Sequence, residues 1–351
     1  MKKIIFYILV ILTIVLTLIY SESVIRYTRE AVNMCMEVII PTLFPFFVCS
    51  GLLIWSGFGS VLARAAAPVM RPLFNVAPSG AAAFVLGIVS GFPLGAVTAA
   101  DLYRCGSLSK SEAERLLAFC NNSGPLFIIG TIGSAVYGRP IYGAVLYAIH
   151  ILSSIFVGMI FSQYGKERHN SPPLRLVTNE MPLSEVFTTA LKNASKSILT
   201  VCFSIIFFSS LSRMMLDLLP LPPLLYALAS GIFEFSTGTL NISTLGIGIY
   251  EKLVLTSFIV GFSGLCVHIQ VMAATAGAGL DLKPYILGKL LHGGIAAGLT
   301  SAAIRLFPLT HGAFAETDNV MSAAFAVIPL MLAAAAVCIM LTSALRFVRG
   351  R

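Results

Sequence analysis

The sequence predicts an all-α, polytopic membrane protein, and three observations carry that prediction. Apolar residues make up 57% of the chain and charged residues only 11%, too little charge to cover a water-soluble domain of 351 residues. Ten apolar segments recur, several of them long enough for the roughly 20 residues that cross a hydrocarbon core of about 30 Å. The basic residues also follow the positive-inside rule once two of the ten segments are taken as entering and leaving on one side.

The segments run 4–20, 34–57, 80–100, 116–137, 141–163, 186–217, 222–246, 253–278, 285–308 and 321–347. The first, Ile4 to Tyr20, follows Lys2 and Lys3. No small-x-small cleavage site closes it cleanly, so it reads as a retained anchor helix with a cytoplasmic start, and 1–33 as that helix plus an outer loop. Residues 34–163 form a first repeat. Residues 164–185 form a cytoplasmic linker, polar and carrying Lys166, Arg168, Arg175, Pro172, Pro173 and Pro182. Residues 186–308 form a second repeat, and 309–351 a last crossing with a basic cytoplasmic tail. Within the first repeat, Ser109 and Glu112 have capping-box spacing, which predicts a short surface helix leading into Asn121.

If all ten segments crossed, the basic loops around Arg104, Lys110 and Arg115 and around Lys166, Arg168 and Arg175 would face outward. If 80–100 and 222–246 are re-entrant or broken, only Arg26, Arg29, Arg139, Arg213, Lys252 and Arg305 lie outside, six of the 23 Lys and Arg. That leaves about eight full crossings with both termini cytoplasmic. The net charge of +8 then belongs to cytoplasmic loops facing anionic lipid, not to nucleic-acid binding.

Polar interruptions recur at one offset. Ser90-Gly91-Phe92-Pro93-Leu94-Gly95 and Asn121-Asn122-Ser123-Gly124-Pro125 lie in the first half; Ser230-Gly231-Ile232-Phe233-Glu234 and Phe262-Ser263-Gly264-Leu265 lie in the second. Ser90 to Ser230 and Ser123 to Ser263 are both 140 residues. The spacing predicts a duplicated unit, and the charge bias gives the two copies opposite orientations, an inverted repeat with its site at mid-membrane. Irregular backbone at that depth must be buried or line a wet cavity. Gly and Pro there open the helical ladder, and the exposed helix N-termini offer N–H donors to anions.

The candidate substrate-binding residues are therefore Ser90, Gly91, Gly95, Asn121, Asn122, Ser123, Gly124, Glu234, Thr237, Ser263, Gly264, His268 and Gln270. Two amides inside the apolar run 118–132 need partners, either a substrate or a neighbouring helix, the latter worth only about 0.6 kcal/mol. Glu234 is the one acidic residue between Asp217 and Glu251. It can carry a coupling proton, ligate a cation, bind a substrate hydroxyl or amine, or hold an ion pair. Lys289 and His292 lie one turn from the cytoplasmic end of their segment, where snorkelling accounts for Lys289. Seven cysteines without CxxC spacing read as buried small hydrophobes, with neither a disulfide framework nor a metal site. HExxH, GxSxG and Walker A patterns are missing, so no catalytic residue, metal or cofactor is expected.

The motifs Pro41-Thr-Leu-Phe-Pro-Phe-Phe47, Ser90-Gly-Phe-Pro-Leu-Gly95, Ser111-Glu-Ala-Glu-Arg115, Asn121-Asn-Ser-Gly-Pro125 and Phe262-Ser-Gly-Leu-Cys-Val-His-Ile-Gln270 resemble the YlbJ family of sporulation integral membrane proteins. The likeness runs from about 34 to 308. It departs at Leu94-Gly95-Ala96, where the family's first break ends in Ser-Gly-Ala. The resemblance implies a nucleoside-recognition Gate domain in each repeat, similar to the core of concentrative nucleoside transporters with their inverted repeats and re-entrant hairpins. It also implies a spore-forming bacterium, a membrane surrounding the forespore, and movement of dipicolinic acid toward it. Helix N-termini at Ser90–Gly95 and Ser123–Pro125, with His268, would then bind the two carboxylates; Asn121, Asn122 and Gln270 would hold the ring nitrogen and remaining oxygens. No mid-membrane arginine accompanies them.

The expected function is thus a transporter, not an enzyme, moving a small polar or anionic metabolite by alternating access. The alternatives are a nucleoside or nucleobase transporter and a non-transporting scaffold of a sporulation complex; an intramembrane enzyme has least support. Expected partners are the substrate and the lipid bilayer, with no nucleic acid. A homo-oligomer or other sporulation membrane proteins stay open, as does coupling to Na+, H+ or neither.

Overall fold

The computed structural model describes residues 2–56, 64, 68–165 and 182–306, and among these every regular element is helical. The predicted C-terminal crossing at 321–347 and residues 166–181 of the linker lie outside the described residues.

Helix α1 (Lys2–Ile19) presents Ile4, Ile8, Ile11 and Leu18 outward, the surface a lipid-facing helix requires. Helix α2 (Ser21–Met34) turns 98° away from it at Tyr20. The sequence reads 21–33 as a loop because of its polar residues, but the structure makes it an amphipathic helix. Tyr27 and Ala31, one turn apart, are its buried face. A π-helical turn, Cys35–Ile39, leads into α3 (Ile40–Trp55).

The segment 80–100 folds as two short helices, α4 (Ala81–Ser90) and α5 (Leu94–Arg104), packed against each other as a hairpin. Ten residues of helix rise only about 15 Å, half of a hydrocarbon core. The segment 116–137 is divided in turn. Helix α6 (Lys110–Cys120) ends at Asn121, and a π-helical stretch, Leu126–Val136, resumes after Pro125. The capping box forms as its spacing predicts: Ser109 Oγ accepts from Glu112 N–H, and the Glu112 carboxylate accepts from Ser109 N–H. The helix is not on the surface, however; Ser111 through Cys120 are all buried. Its charges are absorbed by protein, since Glu114 accepts from Asp281 N–H at 2.8 Å and Arg115 donates to the Tyr164 and Gly165 carbonyls.

Helix α7 (Pro140–Phe161) and the 34-residue α8 (Leu183–Leu216) follow. The segment 222–246 repeats the hairpin plan as α9 (Pro223–Phe233) and α10 (Phe235–Ser243). Helices α11 (Ile249–Phe262) and α12 (Gly264–Ala274) continue one another across a break, and α13 (Lys283–Leu306) closes the described chain.

Among the described residues, three helical stretches are long and apolar enough to cross a membrane: α7, α8, and α11 with α12; the bent pair α1 and α2 would add a fourth. Helices α11 and α13 approach through Gly261 and Gly293, as small residues in 293–302 predict. The core has two apolar clusters, one around α7, α8 and α11 and one around α4, α6 and Tyr285, where the rings of Phe74, Phe84 and Phe119 interlock.

Candidate functional site

The site is built from four interruptions of helix. Gly91, at φ 80°, ends α4. Residues 121–124 run without helix between α6 and the π-helical stretch. Glu234, extended at φ −145°, separates α9 from α10. Ser263, at φ 74°, separates α11 from α12, whose first residue, Gly264, is at φ 71°. The interruptions meet in pairs at the 140-residue offset. A Cβ on Gly91 would lie 2.7 Å from Gly124 N, and a Cβ on Gly264 would lie 3.1 Å from the Gly231 carbonyl oxygen. Only glycine fits these contacts with that backbone. The pairs join through Phe235, whose ring centroid lies 5.7 Å from that of Phe92 and 5.0 Å from that of Phe127.

Between them is a partly open cleft. Ser90, Gly91, Phe92, Ser123, Gly124, Phe127, Phe235, Ser236 and Gln270 line it, with apolar side chains from α3 and α8 completing the wall. Two helical N-termini, Leu126 and Phe235, start on the cleft wall, and two more, Leu94 and Gly264, start two residues from the lining residues Phe92 and Cys266. Only α10 has a side-chain cap, because the Glu234 carboxylate accepts from Ser236 N–H at 3.0 Å and Thr237 N–H at 2.7 Å. The other three N-termini have none. They present partial positive charge to a polar or anionic guest. Ser90 Oγ, Ser236 Oγ and Gln270 Oε1 are buried on the cleft wall without a hydrogen-bond partner. Such groups are costly to leave unmade, so a ligand that engages them gains affinity.

Beside the cleft lies a buried polar cluster. Lys289 Nζ donates to the Asn121 carbonyl at 3.0 Å, lies 3.3 Å from His292 Nδ1, and sits 5.4 Å from the centroid of the Phe92 ring. His292 Nε2 is 2.8 Å from the His150 carbonyl, which places its proton on Nε2 and leaves Nδ1 as acceptor. Ser123 N–H donates to His150 Nε2 at 3.1 Å, which places the His150 proton on Nδ1, where it has no partner. Lys289 does not snorkel; only 1% of it is exposed.

Of the residues expected from sequence, Ser90, Gly91, Ser123, Gly124 and Gln270 line the cleft. Asn121 and Asn122 are fully buried beside it; Asn122 Nδ2 donates to the Phe119 carbonyl, and neither atom of the Asn121 amide has a partner. Gly95 packs on the Cys120 carbonyl, Thr237 Oγ1 donates to Ser209 Oγ at 3.1 Å, and Ser263 Oγ donates to the Val260 carbonyl. The Gly264 carbonyl accepts from His268 Nδ1 at 2.8 Å, so His268 Nε2 is a bare acceptor without a partner. Sequence reasoning passes over Phe92, Phe235, Ser236, Tyr285 and Lys289. One signal for Lys289 is its spacing: His292, three residues on, falls on the same face of an apolar helix. No group of three metal-ligating side chains occurs among the described residues, and the six cysteines there are free.

Neither a family model nor a solved structure matches the chain. It is 30% identical to the sporulation integral membrane protein YlbJ of Bacillus subtilis (strain 168), in an alignment of 313 residues that takes in 79% of this chain and 77% of the relative. The chain belongs to the YlbJ family of sporulation integral membrane proteins.

Proposed function

We propose that this protein is a permease that moves a small polar or anionic metabolite across a membrane during sporulation. The observation that carries the proposal is a cleft with two helical N-termini on its wall, two uncapped ones two residues beyond it, and unpartnered hydroxyl and amide groups. A fold held together only by packing would have no use for polar groups left unmatched on a cleft wall.

In this proposal the hairpins α4–α5 and α9–α10 are re-entrant, each arm covering about half the hydrocarbon core. Together with the broken helices that follow them they form two units of opposite orientation, within about eight crossings and with cytoplasmic termini. Alternating access moves one unit against the other around the cleft. The leading substrate is dipicolinic acid, carried toward the forespore across a surrounding membrane, as the resemblance of the sequence motifs implies. The rings of Phe92, Phe127 and Phe235 give a planar heterocycle an apolar bed and the N-termini take its carboxylates. The same bed admits a nucleobase, which keeps a nucleoside permease as the second reading.

The test is uptake of radiolabelled dipicolinate and uridine into proteoliposomes, with and without Na+ and pH gradients, comparing the native chain with Gln270→Leu. Dipicolinate should accumulate with the native chain and fall to background in the variant. No flux of either solute through folded protein would remove the permease proposal.

A further inference from the structure

Lys289 is buried, and its contacts cross from one half of the protein to the other. It stands on α13 in the second half. Its Nζ donates to the Asn121 carbonyl at the end of α6, in the first half, and faces the ring of Phe92 between α4 and α5. Its second acceptor is His292 Nδ1, and that ring reaches into the first half through Nε2, which donates to the His150 carbonyl. Nζ thus has two hydrogen-bond acceptors, the number of N–H groups on a neutral amine and one fewer than an ammonium carries.

No counter-charge stands opposite. Among the described residues the ion pairs are Arg104–Asp101, Lys110–Glu114 and Arg213–Glu30. The titratable groups around Nζ are Cys120 on α6, His150 on α7, His268 on α12, and Tyr285 and His292 on α13 itself. The carboxylates of α6, Glu112 and Glu114, accept from Ser109 N–H and Asp281 N–H at the start of that helix. Helix α11 meets α13 through Ser257, Phe258 and Gly261, and its Glu251 and Lys252 belong to its first turn. An ammonium taken out of water among neutral groups is costly, and a buried lysine escapes that cost by giving up its proton. Nζ and His292 Nδ1, 3.3 Å apart, hold at most one extra proton between them, since with two they would face each other as donors. His150 Nε2 already accepts from Ser123 N–H.

We propose that Lys289, backed by His292, is the proton-binding residue of the transport cycle, and that its proton exchanges with water in the cleft when Asn121 and Phe92 move off Nζ. Hydronium gives its proton to the Nζ lone pair, an N–H bond forms and water is left; release is the reverse. The proposal rests on the permease reading and makes the proton its coupling ion. Because the Lys289–Asn121 contact joins the two halves, protonation and their movement are linked: water serves the ammonium better than these neighbours do, so protonation favours the parted state.

The test reads proton linkage first without transport. The thermal midpoint of the full chain in detergent is measured from about pH 7.5 to 9.5, above the range where exposed histidines titrate, for the native protein, Lys289→Met and His268→Gln. Cysteines and tyrosines contribute equally to native and variant, so the difference in slope belongs to residue 289. Native stability should rise more steeply with pH than that of Lys289→Met, by about one proton, because the unfolded chain binds the lysine proton over this range. His268→Gln should keep the native slope. Lys289→Gln gives the same reading where the Met variant does not fold. Equal slopes for native and Lys289→Met, or a slope lost in His268→Gln instead, would overturn the site. Uptake of radiolabelled dipicolinate into proteoliposomes is the second arm. At one external pH, a pH difference across the membrane should change the native rate by about five-fold, and the rate of Lys289→Met should not respond. Native flux indifferent to the pH difference removes the coupling proposal and keeps the permease. A slope lost in Lys289→Met, with no flux through the native chain, keeps the proton site and removes the permease.

Discussion

The two halves of this protein follow one plan and use it differently. Each has a hairpin of short helices seated on a broken helix, with glycine at the contact: Gly91 on Gly124 in the first, Gly264 on Gly231 in the second. In the second half the N-terminus of α10 is closed by the Glu234 carboxylate. In the first half the N-termini at Leu94 and Leu126 are open, and the nearby charge is Lys289. The comparison teaches that a shared backbone does not fix the electrostatics. The second half closes its helix start with its own carboxylate, and it also supplies, from α13, the lysine that lies beside the open starts of the first half.

The strongest way to break the comparison is steric. A Cβ at Gly87 would lie 1.7 Å from the Cys120 carbonyl oxygen, a backbone atom that cannot move aside. Gly87→Val should therefore cost about 3 kcal/mol or more and show as a lowered unfolding midpoint or loss of folded protein in the membrane. Glu234→Ala removes the cap that distinguishes the second half and should cost about 1–2 kcal/mol by the same measurement. Pro125→Asp tests the converse by giving an open N-terminus of the first half a carboxylate of its own. It should leave the fold intact and cut dipicolinate flux by about ten-fold, and undiminished flux would show that this N-terminus does not meet the substrate. The smallest effect is expected for Gly124→Ala, where the added Cβ meets nothing nearer than 3.5 Å; the cost should stay under about 1 kcal/mol.

Much of the fold is legible in the sequence because glycine, proline and serine mark the backbone wherever they interrupt an apolar run. Ser90-Gly91 and Ser263-Gly264 are of this kind, and the structure breaks helices at both. The stretch 21–33 misleads because its polar residues suggest solvent, whereas one buried stripe, Tyr27 and Ala31, suffices to dock a helix. The cleft is legible in its backbone and illegible in its neighbours. Lys289 is 168 residues from its acceptor Asn121, and its position near a segment end fits a snorkelling lysine equally well. Which way a side chain points is settled by packing between distant helices, and a hydropathy pattern does not record that. Glu234 illustrates the same limit, since a carboxylate in an apolar run reads as chemistry until the helix start behind it is seen.

The Cys120 carbonyl has a mechanical consequence. It sits between the arms of the first hairpin, so close that a Cβ on Gly87 or Gly95 would lie 1.7 or 2.2 Å from it. The two arms and the end of α6 are thus wedged together, and none can slide without the others. What travels, if anything in this half travels, is the whole wedge. Asn121 is the next residue after the wedge and Lys289 on α13 is tied to its carbonyl. It is one of several ties from the wedge to its surroundings, with Tyr147 OH on the Ile88 carbonyl, Arg104 on the Ala274 carbonyl and Asp281 N–H on Glu114, so displacement of the wedge must break or carry them together.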